Sequence, residues 1–567
     1  MTLMSLFGKP SHFVRDIEFL HSSFNIYKKK LLTVTFFLTL ASFSTLLIPW
    51  LAGLLTQSLL EPSTAQYNRD TLFILWLVVL TVQSSISFFG TYLSDIVSEE
   101  ILTDLRLRIF EALQLPSIKY HHNQSRGNML SLMTNDAEIL CDFISRSLIG
   151  LIPQSVTFIG ALSILFFINY RIGIACLITS ILFIVLAKLI ARNIRPVSKT
   201  LMEKYAVLVS TLEENLQLIE VVKSYSLENF RLRIFNTYNQ DYFSTSKSFF
   251  FQKNLISPAV QLIGGILILT GIWVLSREID NNSLTIPELV SVLLYGILLT
   301  RPMSQIAAIY GRLQTALAAS ERIQKLMNQQ PELGQYSERD LEFKDQSIHL
   351  EKISFGYPDR LPSLVELDLK VKSGQTVSII GDNGEGKSTI AKLILGFYSP
   401  TSGKIFVGKN DITKLNLRLL RQSVCYVQQN TLLFNDSLRN NIRLNNKNLT
   451  DKDIQEVLKI SGGLDAANHL PDNLDTKVGD LGIMLSGGQQ QKIALARALI
   501  RKPKFLILDE ATSMFDPESE NIFIENCQKY LASTTIVNIT HRRASLKASD
   551  KIYKLQRGKL YPINTHP

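Results

Sequence analysis

The first 311 residues contain six long apolar stretches, and only Arg301 in the last of them is charged. About 20 apolar residues in a helix are enough to cross a bilayer, so each stretch predicts a transmembrane helix. The fourth stretch is short and is expected to continue past Lys188. The sequence therefore predicts a membrane protein with a six-helix transmembrane domain over residues 31–327. The stretches cover residues 31–60, 71–94, 147–170, 172–187, 254–276 and 289–311.

The distribution of charge around these stretches predicts their orientation. The chain has a net charge of +10, and Lys and Arg are frequent before residue 31, between residues 94 and 147, and between residues 187 and 254. The loops at the opposite ends are short and balanced or acidic. Cytoplasmic loops carry an excess of Lys and Arg, so both termini are expected in the cytoplasm. Because the basic residues are dispersed around apolar stretches, we expect a membrane and no nucleic acid as partner.

The segments between the apolar stretches predict further helices outside the membrane. Apolar residues recur at helical spacing over residues 99–115 and 202–235, so the transmembrane helices are expected to extend into the cytoplasm and turn back. Residues 1–30 mix aromatic and polar side chains and end in three lysines. This N-terminal segment is consistent with a helix on the membrane surface and equally with a loose cytoplasmic tail.

A glycine-rich segment, residues 381–389, reads GDNGEGKST and lies between an apolar strand pattern and a helical one. Strand, glycine loop and helix form the context of a P-loop, in which backbone N–H groups and the helix N-terminus surround phosphates. Lys387 is predicted to reach the β- and γ-phosphates, and Ser388 to hold Mg²⁺. The predicted nucleotide-binding residues here are Gly381, Asp382, Asn383, Gly384, Glu385, Gly386, Lys387, Ser388 and Thr389.

The second half of the chain has the pattern of an α/β domain. Residues 328–344 are polar and contain a proline and a glycine, which indicates a linker. From residue 345 to residue 567, short β-branched segments alternate with helical ones, which predicts a parallel sheet covered by helices.

One predicted strand of this domain, KFLILDE at residues 504–510, ends in two carboxylates. Asp509 is predicted to hold Mg²⁺, and Glu510 to polarise the attacking water. Acidic residues are common at strand ends, but together with an upstream P-loop they favour a nucleotide hydrolase.

Residues 485–491 read LSGGQQQ and lie between the P-loop and this acidic strand. With this segment the second half of the chain resembles the ATP-binding cassette (ABC) family. With six apolar stretches on the same chain, the whole resembles a bacterial half-transporter of the type I ABC exporter class. The resemblance covers nearly the whole chain, because the segments SIKYHHNQSRGNMLSLMTNDAEIL and LEENLQLIEVVKSYSLENF are similar to the internal loops of that class. It implies an α/β P-loop cassette, ATP and Mg²⁺ as cofactors, and the bacterial inner membrane.

The resemblance also implies roles for residues outside the P-loop. Tyr357, in FGYP, falls where the family stacks an aromatic ring on adenine. Gln429 falls at the glutamine that contacts Mg²⁺, and is preferred to Gln428 by its spacing to Phe434. His541, in NITHR, falls at the histidine that contacts the γ-phosphate. The implied catalytic residues are therefore Glu510, His541 and Gln429, and the implied metal ligands are Ser388, Gln429 and Asp509.

In this family the LSGGQ segment faces the nucleotide bound to a second subunit. Ser486, Gly487, Gly488 and Gln489 then complete the partner's site at a helix N-terminus, and Asp516 lies in a loop that crosses the interface. A second copy of the chain is the expected partner. Because Glu510, LSGGQ and His541 are all intact, a homodimer is favoured over one half of a heterodimer.

The sequence departs from the family at three places. The usual SALD reads SMFD here, with Met514 and Phe515 in the interface loop, and Leu481 stands where the pattern often has Arg or Gly. The segment after His541, RRASLKAS, also differs from the common pattern. None of these departures removes a catalytic group.

The expected function is ATP-driven export or flipping of an amphipathic substrate, a lipid, drug or peptide, across the cytoplasmic membrane by alternating access. The alternative is a dedicated peptide or secondary-metabolite exporter that confers self-immunity. A soluble ABC ATPase is disfavoured by the apolar stretches, and an importer by their fusion to the cassette. An ATP-gated channel is disfavoured by the intact Glu510 and His541. Arg301 either contacts substrate or pairs within the protein.

Overall fold

The computed structural model describes residues 10–60, 67–124, 126–255, 285–332, 345–358, 362–479 and 485–563, with isolated positions between them. The chain forms two compact units, one made of Met1–Gln114 with Gln124–Gln329 and the other of Leu115–Asn123 with Gln330–Pro567. The short segment Leu115–Asn123 thus packs with the second unit, although it precedes the predicted linker. Residues 333–344 of that linker and Leu481 lie outside the described residues.

The first unit consists of helices in its described residues. α1 passes without interruption through Lys30, where the predicted N-terminal segment ends. Two π-helical turns, Leu132–Asp136 and Phe143–Leu148, lie between the shorter helices. In chain order the helices are α1 (Pro10–Leu60), α2 (Arg69–Gln114), α3 (Ile118–Asn123, in the second unit), α4 (Arg126–Ser131), α5 (Ala137–Asp142), α6 (Ile149–Ile168), α7 (Tyr170–Gln217), α8 (Ile219–Ser224), α9 (Glu228–Asn254) and α10 (Ile286–Met327).

Within the described residues, four helical stretches are long and apolar enough to cross a membrane: Ile26–Leu60, Arg69–Gln114, Arg126–Ile168 and Ile286–Ile306. They contain the first and second predicted spans and most of the third and the sixth. The fourth predicted span begins in α7, where Tyr170–Leu182 is a shorter apolar stretch. The fifth, residues 254–276, lies outside the described residues apart from isolated positions.

Hydrogen bonds between helices hold the apolar part of this unit together. The hydroxyl of Tyr295 donates to the carbonyl oxygen of Leu46 at 2.7 Å, and the Gln83 amide donates to the Thr45 hydroxyl at 3.0 Å. In apolar surroundings a polar side chain without a hydrogen-bond partner costs free energy. These two bonds therefore favour the packing of α2 and α10 against α1. Arg301 is exposed in α10.

The described part of the second unit contains two larger sheets. The strands are β1 (Ile348–Phe355), β2 (Leu364–Val371), β3 (Thr376–Ile380), β4 (Ser402–Val407), β5 (Asn410–Asp411), β6 (Val424–Val427), β7 (Asp436–Ser437), β8 (Lys477–Val478), β9 (Phe505–Asp509), β10 (Thr535–Ile539), β11 (Lys551–Gln556) and β12 (Lys559–Ile563). The six-stranded sheet has the order β12-β11-β3-β10-β9-β6, with β12 antiparallel and the other neighbours parallel. A four-stranded antiparallel sheet has the order β2-β1-β4-β5, and β7 pairs with β8.

Helices cover the parallel sheet and form two apolar cores with it. β9 is buried along its whole length, as expected for a parallel strand covered on both faces. The prediction of a membrane-helical domain fused to an α/β P-loop domain is confirmed. The helices are α11 (Lys387–Ile394), α12 (Leu417–Ser423), α13 (Leu438–Arg443), α14 (Asp451–Ser461), α15 (Leu464–Asn468), α16 (Gly487–Leu499), α17 (Pro517–Tyr530) and α18 (Arg543–Lys547).

The four cysteines, Cys141, Cys176, Cys425 and Cys527, are buried and form no disulfide. Burial raises the pKa of the Cys425 thiol to about 11 and that of Cys527 to about 12. Both thiols of the second unit therefore stay protonated at neutral pH.

Candidate nucleotide-binding and catalytic site

Four parallel strands bring the predicted site residues to one edge of the six-stranded sheet. β3 leads into the P-loop, β9 ends at Asp509, β10 precedes His541, and β6 precedes Gln429. The register pairs Ile539 with both Ile379 and Asp509, so the strands end at the same level. Loops at the carboxyl ends of parallel strands meet at one edge, which is where such sheets bind ligands.

The lysine of the P-loop is hydrogen-bonded to the backbone of the same loop. Gly386 has a φ of +100°, and a Cβ there would lie 3.0 Å from the carbonyl oxygen of Ser363, so the position requires glycine. α11 begins directly after it with Lys387, whose buried ammonium donates to the carbonyl oxygens of Gly381 at 2.5 Å and Asp382 at 3.1 Å. The positive end of α11 and this ammonium make the loop suited to phosphates.

The side chain of Glu385, one of the predicted P-loop residues, is hydrogen-bonded to a different segment of the domain. The carboxylate of Glu385 accepts a hydrogen bond from the backbone N–H of Arg557 at 2.6 Å. That contact ties the P-loop to the turn between β11 and β12, so only the backbone of Glu385 is left for phosphate binding.

The three predicted catalytic side chains meet at the end of β9. The Gln429 amide nitrogen donates to one carboxylate oxygen of Glu510 at 2.6 Å, and Nε2 of His541 lies 3.9 Å from the other. Glu510 has a φ of +51°, a left-handed conformation that a non-glycine residue rarely adopts. The backbone turn after β9 thus directs the Glu510 carboxylate between the ends of β6 and β10.

Three oxygen donors at this edge fit Mg²⁺. Gln429 uses its amide nitrogen for Glu510, which leaves its amide oxygen for a metal. Asp509 is only 4% exposed, and its Oδ2 accepts a hydrogen bond from the Tyr426 hydroxyl at 2.9 Å. A buried carboxylate needs donors or a cation, and Mg²⁺ prefers oxygen ligands. Together with the Ser388 hydroxyl, these groups are the ones that would hold the ion.

Tyr357 lies beside the P-loop helix. Its ring makes edge contacts with Phe355 and Tyr398, with centroids 5.0 Å and 5.3 Å away, and its hydroxyl is 3.4 Å from the Thr389 hydroxyl. The ring is half-buried, so one part packs in the core and the rest is left for a ligand.

Replacing Tyr357 with alanine is expected to weaken ATP binding about five- to tenfold, because ring stacking contributes on the order of 1 kcal/mol. Tyr357→Phe keeps the ring and serves as the matched control, with an affinity within about twofold of the unmodified chain. Binding is measured by fluorescence titration of the full chain in nanodiscs. An ATP affinity of the alanine variant equal to that of the unmodified chain would show that Tyr357 does not contact the nucleotide.

The LSGGQ segment begins a helix with a capping box. The Ser486 hydroxyl accepts from the backbone N–H of Gln489 at 3.3 Å, and the Gln489 side chain accepts from the Ser486 N–H at 2.9 Å. No hydrogen bond in the described part of the chain joins this segment to the P-loop. The hydrogen bonds of the Ser486 and Gln489 side chains in the described part of the chain are those of the capping box itself.

Met514 lies directly on the LSGGQ glycines. A Cβ on Gly487 would overlap the Met514 sulfur, so any other residue there would displace the flexible Met514 side chain. Met514 itself is 60% exposed, whereas Phe515 is buried against Phe523, with ring centroids 6.0 Å apart. The SMFD departure thus places a thioether at the surface of the LSGGQ segment and an aromatic ring in the core. Asp516 accepts from the Ser519 N–H at 2.8 Å and caps α17.

Gln491 connects the LSGGQ helix, α16, to the loop between β9 and α17. No motif identified Gln491 as a site residue. Its buried amide donates to the Ser513 hydroxyl at 2.9 Å and accepts from the Met514 N–H at 3.0 Å. Its adjacency to LSGGQ was the only signal in the sequence.

Arg542, next to His541, connects that histidine to the loop before α17. Its guanidinium donates to the carbonyl oxygen of Phe515 at 2.9 Å and to that of Ser513, and pairs with Glu520 at 3.4 Å. The Glu520 carboxylate is buried and also accepts from Ser545 at 2.9 Å. A buried carboxylate with several donors holds its neighbours in one arrangement.

Comparisons with known proteins agree with this architecture. Residues 31–303 match the family model of the ABC transporter transmembrane region, and residues 364–513 match the ABC transporter model. A Rickettsia typhi protein named as an export ATP-binding/permease protein is 30% identical over 556 residues, covering 95% of this chain and 94% of that protein. The ATP-dependent lipid A-core flippase of Syntrophus aciditrophicus is 28% identical over 527 residues, covering 91% and 88%.

The solved structure of a bacterial Atm1-family ABC exporter with ATP bound has the same fold, with a TM-score of 0.86 at 22% identity over 94% of this chain and 95% of that one. The chain belongs to the ABC transporter family, with an exporter-type transmembrane region fused to the ATP-binding domain. It is a membrane protein that binds ATP and couples its hydrolysis to transport.

Proposed function

We propose that the chain exports or flips an amphipathic substrate across the bacterial inner membrane by alternating access, working as a homodimer. The observation that carries the proposal is the meeting of Gln429, Glu510 and His541 at the end of β9, on the same chain as the apolar helices. A complete set of hydrolytic groups favours a transporter that turns over ATP rather than a channel that only binds it.

In this proposal the groups at the strand ends have separate tasks. Lys387 and the P-loop backbone hold the phosphates, and Tyr357 stacks on the adenine ring. Glu510 polarises the attacking water, Gln429 orients Glu510, and His541 contacts the γ-phosphate. Mg²⁺ would supply charge neutralisation of the phosphates while held by Ser388, Gln429 and Asp509.

The proposed dimer is supported by the lack, among the described residues of one chain, of any hydrogen bond between the LSGGQ segment and the P-loop. Ser486, Gly487, Gly488 and Gln489 would complete the nucleotide site of the partner, with Asp516 at the interface. Binding of two ATP would bring the cassettes together, and hydrolysis would release them.

An amphipathic lipid is the substrate class we favour, because one similar protein is named as a lipid A-core flippase. Peptides and drugs are the other candidates, and a heterodimer is the alternative assembly. The excess of Lys and Arg on one side of the predicted spans supports a cytoplasmic position for both termini. We assign residues 1–30 to an N-terminal segment, 31–327 to the membrane domain, 328–344 to a linker and 345–567 to the cassette.

The purified chain in lipid nanodiscs is expected to hydrolyse ATP alone, and one class of compound is expected to stimulate this activity severalfold. Lipids with large headgroups, amphipathic drugs and peptides are compared at matched concentrations. Stimulation by lipids supports the favoured substrate, and stimulation by peptides favours the dedicated peptide exporter. An inactive chain that gains activity with a second, different half-transporter would overturn the homodimer.

A further inference from the structure

Tyr426 is a half-buried polar residue of the site that no motif singled out. It lies in β6, where it pairs in parallel register with Ile507 of β9. Its hydroxyl donates to Oδ2 of Asp509, the last residue of β9, at 2.9 Å. The bond therefore crosses between two neighbouring strands and ends on the carboxylate assigned to the metal.

Tyr426 is the donor of this bond, because an ionised carboxylate can only accept hydrogen bonds. Asp509 is itself almost fully buried. A hydrogen bond to a buried charged group is stronger than one between neutral groups in water.

β6 and the residues that follow it hold both carboxylates at the end of β9. Tyr426 donates to Asp509, and three residues later Gln429 donates to the adjacent Glu510 at 2.6 Å. With Oδ2 occupied by the phenol, the carboxylate of Asp509 has a defined orientation, and its second oxygen is the one that can serve a cation.

We propose that Tyr426 is a positioning residue of the metal site, which orients Asp509 toward Mg²⁺ through its phenolic hydroxyl. This inference rests on the proposed role of Asp509 as a metal ligand. It predicts a specific defect, because without the hydroxyl the carboxylate loses its orientation while the P-loop that binds the nucleotide is unchanged.

Tyr426→Phe is expected to raise the half-saturating metal concentration about tenfold, the effect of losing one hydrogen bond to a charged group. Mn²⁺ is the probe, and its binding to the full chain preloaded with a non-hydrolysable ATP analogue is followed by electron paramagnetic resonance. Mg²⁺ activation of ATP hydrolysis is expected to shift by a similar factor. ATP binding without metal, and turnover at saturating Mg²⁺, are expected to stay within about threefold.

Tyr398→Phe is the matched control, since it also removes a phenol from the second unit. That hydroxyl lies 2.9 Å from Nδ1 of His122 and makes no contact with Asp509, so its metal titration is expected to coincide with that of the unmodified chain. Tyr426→Met, a second variant without a donor, is expected to reproduce the shift.

Coinciding metal titrations for Tyr426→Phe and the unmodified chain would overturn the proposal. So would an equal loss of metal-free ATP binding, which would indicate a general packing defect. If the unmodified chain binds Mn²⁺ and ATP but transports no substrate, the proposed function fails while the inference about Tyr426 stands.

Discussion

Replacement of Glu510 with glutamine is expected to lower steady-state ATP hydrolysis by at least about a hundredfold, the contribution typical of a general base. The change removes the charge that polarises water but keeps an oxygen that can accept from Gln429, which lies 2.6 Å away. The P-loop contacts of Lys387 do not involve Glu510. ATP is therefore expected to bind normally and to remain bound, which holds two copies of the cassette together.

The measurement combines phosphate release with the retention of labelled ATP after rapid gel filtration in nanodiscs. Glu525→Gln is the control, because Glu525 is an exposed carboxylate in the middle of α17 and the change in charge is the same. Near-normal turnover of the Glu510 variant would show that another group activates water, and ATP lost as fast as from the unmodified chain would argue against the trapped dimer.

The residues that the sequence could identify are those whose spacing is set by the local backbone. Glycine at position 386 is required by a positive φ and a nearby carbonyl, and these constraints appear in the sequence as a fixed motif. Similarly, Asp509 and Glu510 could be located because an apolar strand precedes them directly. Their assembly with Gln429 and His541 was expected only from the resemblance to a family.

Residues that act through long-range contacts could not be found in this way. Tyr426 reads as an ordinary strand residue until the register of β6 and β9 places its hydroxyl on Asp509. Glu520 lies in a helix among polar residues, yet it is buried and accepts hydrogen bonds from Arg542 and Ser545. Such contacts depend on how distant segments pack, and no spacing within one segment encodes them.

The short helix α3 illustrates the same limit at the level of domains. Its sequence resembles an internal loop of the membrane domain. In the structure, however, Ile118 packs on the apolar core of the second unit, and Nδ1 of His122 lies 2.9 Å from the Tyr398 hydroxyl. The chain leaves the first unit after α2 and returns to it at α4, so the domain boundary is crossed more than once. The later crossing could be predicted as a linker because residues 328–344 are polar. The earlier crossing, directly after α2, has no such composition.

Lys387→Met is expected to weaken ATP binding by about a hundredfold or more and to abolish hydrolysis at ordinary ATP concentrations. Its ammonium is the buried positive charge of the P-loop, and charge-assisted hydrogen bonds to phosphate are stronger than neutral ones. Methionine has a similar length without the charge, so the loop keeps its packing. This defect differs in kind from that of Glu510→Gln, because a chain that cannot bind ATP cannot be trapped with it.

The double variant carrying Lys387→Met and Glu510→Gln is therefore expected to behave like the single lysine variant and to retain no labelled ATP. Lys392→Met, in the same helix, removes one charge away from the loop and is the control for a general effect of charge on α11. Retention of ATP by the double variant would mean that Lys387 acts after binding, at the transferring phosphate alone. Loss of ATP binding in both lysine variants would mean that the helix as a whole, and not the single ammonium of the P-loop, attracts the nucleotide.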